Sequence, residues 1–173
     1  MQEGRPMILV TGAVGQIGSE LTPALRLRYG SGNVVAAGHK TKPSPALCEA
    51  GPFEFIDVAK RDTVEAVVDK YQVDTIYHLA AILSATGEQQ PQLAWDVNIN
   101  GLYNILEVAR ERHMARVFCP SSIAAFGPET PRDNTPQETV LLPRTVYGVT
   151  KVAGELLCNY YYYRYGLDVR GVR

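Results

Sequence analysis

Six short apolar runs punctuate the chain, separated by four stretches with helical spacing and one proline-marked loop. Met7-Ile8-Leu9-Val10 reads as a buried strand, and Ile17, Leu21, Ala24 and Leu25 recur at helical spacing until Gly30-Ser31-Gly32 ends the helix near Tyr29. Asn33-Val34-Val35-Ala36-Ala37 is a second strand, and Lys42-Pro43-Ser44-Pro45 a rigid surface loop. Phe53-Glu54-Phe55-Ile56 is a third strand, ending at Asp57. Val64, Val67 and Val68 give an apolar side to a helix beginning near Arg61, and Thr75-Ile76-Tyr77-His78-Leu79-Ala80-Ala81 is a fourth strand running into a small-residue loop. Leu93, Val97, Gly101, Ile105 and Ala109 predict one long helix from about Pro91 to Arg112. Arg116-Val117-Phe118-Cys119-Pro120 is the fifth strand. A last helix opens at Tyr147 and continues through Val152, Leu156, Leu157 and Tyr160-Tyr161-Tyr162-Tyr163, before Leu167–Arg173 forms a sixth strand. Strands alternating with helices predict an α/β domain built on a doubly wound parallel sheet.

The 173 residues suit one domain with a core of its own. The net charge of −1, with 20% charged residues and no long run of one sign, offers neither a nucleic-acid nor a membrane surface, so the expected partners are small molecules. Met1–Pro6 lacks the apolar run of a signal peptide, and no stretch approaches 18 uninterrupted apolar residues, which places the expected chain in the cytoplasm. Cys48, Cys119 and Cys158 are odd in number and contain no C-x-x-C, which argues against a disulfide framework or a zinc site; no metal is expected.

Chemistry gathers at the ends of the predicted strands. The first runs directly into Thr11-Gly12-Ala13-Val14-Gly15-Gln16-Ile17-Gly18, whose glycines permit a tight turn, close approach of backbone to an anion, and close packing of the next helix. Such a loop between strand and helix fits a dinucleotide pyrophosphate. A dinucleotide fold carries an acid about 20 residues further on, for the adenosine ribose hydroxyls, yet the second strand ends in Gly38-His39-Lys40-Thr41-Lys42. Either these cations neutralise a ribose 2′-phosphate, or the loop is simply solvated; the lack of an arginine fork favours the second. Asp57 has two readings, a partner for the adenine amino group or a capping or turn acid for the next helix. His78, inside an apolar strand, reads as a core residue. Asn98 or Asn100 could tie the long helix to the neighbouring strands, since a buried amide needs a partner.

Ser121 and Ser122 follow the fifth strand, and Tyr147 and Lys151 stand at i and i+4 on one helix face. An ammonium beside a phenol favours the phenolate, so Tyr147 could act as a base while a strand-end serine holds the substrate oxygen.

Together, Thr11-Gly12-x-x-Gly15-x-x-Gly18, His78-Leu79-Ala80-Ala81, Ser122 and Tyr147-x-x-x-Lys151 resemble the extended short-chain dehydrogenase/reductase family over essentially the whole chain. More narrowly, Gly15–Gly18, Ser121–Pro128, Thr130–Pro136, Tyr147–Lys151 and Tyr160–Asp168 are similar to the short-chain type of L-threonine 3-dehydrogenase. The resemblance implies a Rossmann-type NAD(P)-binding domain over residues 1–173, the N-terminal part of a longer enzyme whose C-terminal substrate region is absent. It implies oxidation of the L-threonine β-hydroxyl to 2-amino-3-ketobutyrate with hydride passing to NAD, in a homodimer. Ser122, Tyr147 and Lys151 would be catalytic, with Tyr147 as base, and Ser84, Ser122 and Tyr147 would bind substrate. Gly12, Gly15, Gln16, Ile17 and Gly18 would hold the pyrophosphate, with Gly38 and His39 at the adenosine ribose and Asp57 and Val58 near adenine. Leu79, Ala80 and Ala81, together with Asn98, Tyr147 and Lys151, complete the implied cofactor set. Gly38 stands where such enzymes usually carry Asp, so NADP remains open. The alternatives are a nucleotide-sugar 4-epimerase or dehydratase and a cofactor-binding fragment without activity. Ile123-Ala124 in place of a dehydratase's acidic pair, and Phe126-Gly127 in place of an epimerase's Tyr-Gly, favour the threonine enzyme.

Overall fold

The computed structural model describes residues 5–173; the first four residues of the N-terminal stretch read above lie outside them. Strands β1 (Ile8–Thr11), β2 (Val34–Gly38), β3 (Phe53–Phe55), β4 (Thr75–His78), β5 (Arg116–Phe118) and β6 (Val169–Arg170) form one sheet in the order β3-β2-β1-β4-β5-β6. Every pairing is parallel, with Ile8 opposite both Val34 and Thr75, so β1 lies at the centre. All residues of β1 and β2 are buried, because a parallel sheet is covered on both faces. Alternation along the strands then sorts the apolar residues into two cores. Ile8, Val10, Val34 and Ala36 face Leu25 of α1 (Gln16–Tyr29) and Leu47 of α2 (Pro45–Glu49). Leu9, Val35, Ile76 and Val117 face α3 (Arg61–Tyr71), α6 (Gly101–Glu111) and Tyr161 of α7 (Val146–Tyr165). This is the doubly wound arrangement expected.

Several elements differ from the expectation in extent. The rigid loop at Lys42–Pro45 becomes a helix from Pro45 onward, because proline suits a first helical position and the Ser44 hydroxyl accepts the Leu47 N–H at 3.2 Å. The fourth strand stops at His78, and the small-residue loop beyond it folds into α4 (Ser84–Gln89). The long helix is present as a continuous run, α5 (Pro91–Trp95) followed by a widened π-type segment over Asp96–Asn100 and then α6. The sixth strand is shorter than the apolar pattern suggests, with two residues in regular pairing. Hydrogen bonds from Cys119 N–H to Arg170 O (2.8 Å) and from Ser121 N–H to Val172 O (2.8 Å) nevertheless carry the parallel contact along this edge.

Arg26 on α1 is a buried cation that sequence did not single out. Its guanidinium donates to the carbonyls of Leu47 (2.6 Å), Pro52 (2.6 Å) and Val34 (3.3 Å), so the α1 end, α2 and the β2 start are tied at one point. In the tyrosine run Tyr161 alone is buried and donates to Glu107 at 2.5 Å, whereas Tyr160, Tyr162 and Tyr163 are exposed. Among the described residues no helix is long and apolar enough to cross a membrane, and all three cysteines are free.

Candidate active site

The sheet order reverses direction between β1 and β4, and a ligand crevice opens beyond the carboxyl ends of strands at such a point. The glycine loop sits there. Gly12 has φ +70°, and a Cβ on it would lie 2.7 Å from the Ala80 nitrogen, so only glycine lets the loop rest on the β4 exit. A Cβ on Gly18 would come within 2.3 Å of the Gly12 carbonyl oxygen. Gly15 caps α1 without a side-chain hydrogen bond, leaving the first-turn N–H groups toward the crevice. This bare, positive helix end with its side-chain-free cradle fits a dinucleotide pyrophosphate held by Gly12, Gly15, Gln16, Ile17 and Gly18.

At the far end of the crevice, Gly38 closes β2 and the Asp57 carboxylate stands beside it in the following turn. Asp57 makes the turn contact, its Oδ1 accepting the Ala59 N–H at 3.2 Å, while Lys60 occupies the α3 N-cap. Its Oδ2 lies 3.7 Å from His39 Nε2 and 3.9 Å from Lys60 Nζ. Val58 is buried and packs against Gly101, where an added Cβ would come 2.8 Å from Val58 Cγ2.

Asn98 organises the middle. Its amide accepts from the Ile82 N–H (2.8 Å) and donates to the Ile82 carbonyl (3.0 Å) and to Thr150 Oγ1 (3.1 Å), and the Thr150 hydroxyl donates to the Tyr147 carbonyl at 2.7 Å. The π segment aims this side chain inward; such widened turns recur at functional sites. Asn100 instead is exposed and donates to Asp96 at 2.9 Å. Replacing Asn98 with leucine leaves the Ile82 backbone groups unpaired, which is expected to cost about 1–3 kcal/mol. Thermal unfolding followed by circular dichroism checks this, at roughly 2–4 °C per kcal/mol for a chain of this size.

The turn after β5 and the start of α7 are in contact. Ser122 precedes one turn of 3₁₀ helix over Ile123–Ala125, and its hydroxyl accepts the Ala124 N–H at 3.2 Å, which leaves its own proton to donate. A Cβ on Gly148 would lie 2.2 Å from the Ala124 carbonyl oxygen, so glycine next to Tyr147 allows the two backbones to meet. Helix α4, which opens at the exposed Ser84, packs on the other side: the Glu88 carboxylate accepts the Val146 N–H at 2.7 Å, and Gly87 lies against Val146 and Tyr147. Lys151 donates to the Pro120 carbonyl at 3.0 Å and stands 5.5 Å from the Tyr147 ring centroid. Ser122, Tyr147, Lys151 and the helix bearing Ser84 are thus brought together.

A cavity of about 440 Å³ opens on the Lys151 side, lined by Ala80, Ala81, Asn98, Ser121, Thr150 and Lys151 among others, while Ser122 and Tyr147 stand outside its lining. Deeper in the same wall, Ser121 donates to the Glu155 carboxylate, which pairs with Arg173 at 3.0 Å. Sequence reading missed this link; its signal was Glu155 four positions after Lys151, on the same helix face. Cys119 and Cys158 also face the cavity, and the hydrogen bond from Cys158, with the Lys151 charge, draws the Cys119 thiol below its usual range against the opposing effect of burial. Among the described residues no three His, Cys, Asp or Glu side chains gather as a metal site.

His78 is buried, its Nδ1 2.9 Å from Thr11 Oγ1, and that hydroxyl also accepts the Ala80 N–H at 3.3 Å. The buried imidazole is neutral. Burial, aided by the Lys151 charge, pushes its pKa down to about 3. Between that value and the ordinary 6.5 the unfolded chain binds a proton that the folded chain does not, so stability falls as pH falls through this window. The slope is up to about 1.4 kcal/mol per pH unit. Urea midpoints measured from pH 7 to pH 4 are expected to drop less steeply in His78→Gln than in the parent.

Residues 8–173 match the family described as NAD dependent epimerase/dehydratase. A relative from Staphylococcus saprophyticus, named an uncharacterized epimerase/dehydratase, is 49% identical over 166 residues, covering 96% of this chain and 52% of its own length. The solved L-threonine dehydrogenase of Clostridium difficile is 52% identical with a TM-score of 0.93, over 99% of this chain and 53% of its own. The UDP-glucose 4-epimerase of Thermus thermophilus, in complex with NAD, is 26% identical with a TM-score of 0.86, over 96% of this chain and 54% of its own. The chain spans about half the length of the curated relatives it matches.

Proposed function

The chain belongs to the NAD dependent epimerase/dehydratase family, and from that premise we propose that it supplies the cofactor-binding half of an L-threonine 3-dehydrogenase. The observation that carries this reading is the seating of the Ser122 turn on the first turn of α7, which brings a serine, a tyrosine and a lysine to one strand end. In this reading Tyr147 takes the proton of the threonine β-hydroxyl. Ser122, whose oxygen is already an acceptor for Ala124, donates to the substrate oxygen as negative charge develops there. The Lys151 ammonium, held by the Pro120 carbonyl, stabilises the phenolate, and Ser84 meets the amino acid end of the substrate. When bound, NAD accepts the hydride from the carbon that carries the hydroxyl. The backbone of Gly12 through Gly18 holds its pyrophosphate, and Leu79, Ala80, Ala81 and Asn98 shape the wall beside the nicotinamide ribose.

The nucleotide-sugar reading is weaker because likeness falls from 52% to 26% identity between the two solved enzymes. Incubating a version extended to its relatives' length with L-threonine and NAD tests the choice. Growth of the reduced-nicotinamide absorbance supports the dehydrogenase, whereas turnover of a UDP-sugar with inert threonine replaces it by the epimerase. Binding of NAD with neither turnover leaves a binding module.

The same reading includes a homodimer. Leu156, Tyr160 and Tyr163, spaced along one side of α7, are exposed, as are Trp95 and Tyr103 on the neighbouring helical run, and in this reading they supply the apolar surface for pairing with a second copy. A light-scattering mass of two chains at micromolar concentration is the expected result, and a mass of one chain counts against it.

A further inference from the structure

Helix α7 grips the exit of β5 at two successive residues. Lys151 donates to the Pro120 carbonyl at 3.0 Å and, one helical turn on, the Glu155 carboxylate accepts the Ser121 hydroxyl. The peptide plane between Pro120 and Ser121 is held on both edges, by Lys151 and by the Val172 carbonyl, which accepts the Ser121 N–H at 2.8 Å. The hydroxyl bond to Glu155 then fixes how the chain turns from that plane into Ser122, which opens the 3₁₀ turn over Ile123–Ala125. The same carboxylate oxygen, Glu155 Oε1, also takes Arg173 Nε at 3.0 Å, and the Arg173 guanidinium lies 5.6 Å from the centroid of the Phe126 ring, at the residue that closes that turn. One carboxylate therefore reaches both ends of the segment carrying Ser122. The ion pair is not a loose surface contact: the Arg173 and Glu155 side chains are 16% and 23% exposed, and both line the cavity beside Lys151.

Resting on the reading that Ser122 donates to the substrate oxygen, we propose that Glu155 is a positioning residue for the reaction: by holding both ends of the serine turn against α7, it sets the Ser122 hydroxyl at the level of the helix where Tyr147 and Lys151 act. In this role Glu155 acts through Ser121 and Arg173 and touches neither the substrate nor the phenol. Because it stands four residues after Lys151, one helix face carries both the ammonium beside the phenol and the carboxylate that seats the serine. Their spacing is then set by helix geometry and not by a loop. A misplacement of about 1 Å at a reacting group can cost on the order of 10²-fold in rate. The glycine cradle, at the start of α1, is untouched by such a shift, so turnover and dinucleotide affinity should part company.

Glu155→Gln keeps an oxygen for the Ser121 hydroxyl and removes the charge facing Arg173, whereas Ser121→Ala removes the front contact and leaves the ion pair. In a chain extended to the relatives' length, each is expected to lower kcat for threonine oxidation by about tenfold. The Kd for NAD, read by calorimetry, should stay within about threefold of the parent's. In a Ser122→Ala background Glu155→Gln should cost less than about twofold further, because the group it positions is gone, while a merely structural role would subtract the same factor in both backgrounds. The same cycle run with Ser121→Ala covers the case in which an unpaired Arg173 keeps Glu155→Gln from folding. Hydrogen exchange of the 173-residue chain, read by mass spectrometry, adds a readout without turnover. Amides of residues 121–126 should exchange about tenfold faster in both variants, with those of β1 and α1 as in the parent. Unchanged exchange, or equal losses of kcat in both backgrounds, overturns the positioning role while the dehydrogenase reading stands. An extended parent chain inert toward threonine overturns that reading, and the role with it.

Discussion

Threonine-dependent reduction of the nicotinamide is expected to fall by roughly 10²–10⁴-fold when Tyr147 is replaced by phenylalanine in a chain of the relatives' full length. The phenol hydroxyl makes no hydrogen bond to another described residue, and the bond that Tyr147 does make, from Thr150 to its carbonyl at 2.7 Å, is to backbone that phenylalanine retains. The approach of its Cβ to Gly87 of α4 and the Lys151 cation over its ring are likewise kept. The loss should therefore appear in kcat, with melting temperature and NAD affinity unchanged. A variant that keeps kcat within about tenfold would show that the proton leaves by another group and that the Ser122–Tyr147–Lys151 assignment is wrong.

Gly18→Ala is expected to have the second largest effect, through the cradle. Its new methyl would sit 2.3 Å from the Gly12 carbonyl oxygen and 2.6 Å from Ala13 Cα, both backbone atoms with no rotamer to yield. The loop must open, costing about 1–3 kcal/mol of stability, and the convergent N–H groups lose their common target. NAD affinity should fall by one or two powers of ten, read by titration calorimetry. Gly32→Ala is the matched control: a Cβ there meets nothing within 4 Å, so neither stability nor binding should move. If both variants bind alike, the glycine loop is not the pyrophosphate site.

The parts of this molecule that depend on local pattern were readable in the chain. Buried runs such as Ile8–Val10 and Val34–Ala37 have no polar face and so announce a parallel sheet, and the four-residue spacing of Tyr147 and Lys151 announces one helix face. What escaped was decided by distant partners. Helix α4 contains Ser84, Thr86 and Gly87, poor helix formers, and is held by Glu88 capping α7, 58 residues away. The widened turn at Asp96–Asn100 leaves the apolar spacing intact, so a period count cannot detect it. Asp57 was ambiguous because capping and ligand roles use the same carboxylate; the fold shows that the α3 N-cap is Lys60 and that Asp57 accepts the Ala59 N–H in the turn before it. Residue type and spacing singled out Tyr147, Lys151 and the serine pair Ser121–Ser122, and the resemblance chose Ser122 of the pair, whereas the Asn98–Thr150 bond spans 52 residues and has no signature short of the folded chain.

The hydrogen bond between Thr11 and His78 joins residues 67 positions apart, across the pair of strands at the middle of the sheet. Its consequence lies in the order of events during folding. Until the nascent chain has been made through His78, β1 can pair only with β2 and presents its other edge, a row of unpaired amides on a strand that is apolar up to Thr11, to whatever is nearby. Loop closure over such a distance is slow relative to helix formation. The floor of the crevice therefore cannot close before His78 is made, and until then the free edge of β1 is a site at which the chain is exposed to aggregation.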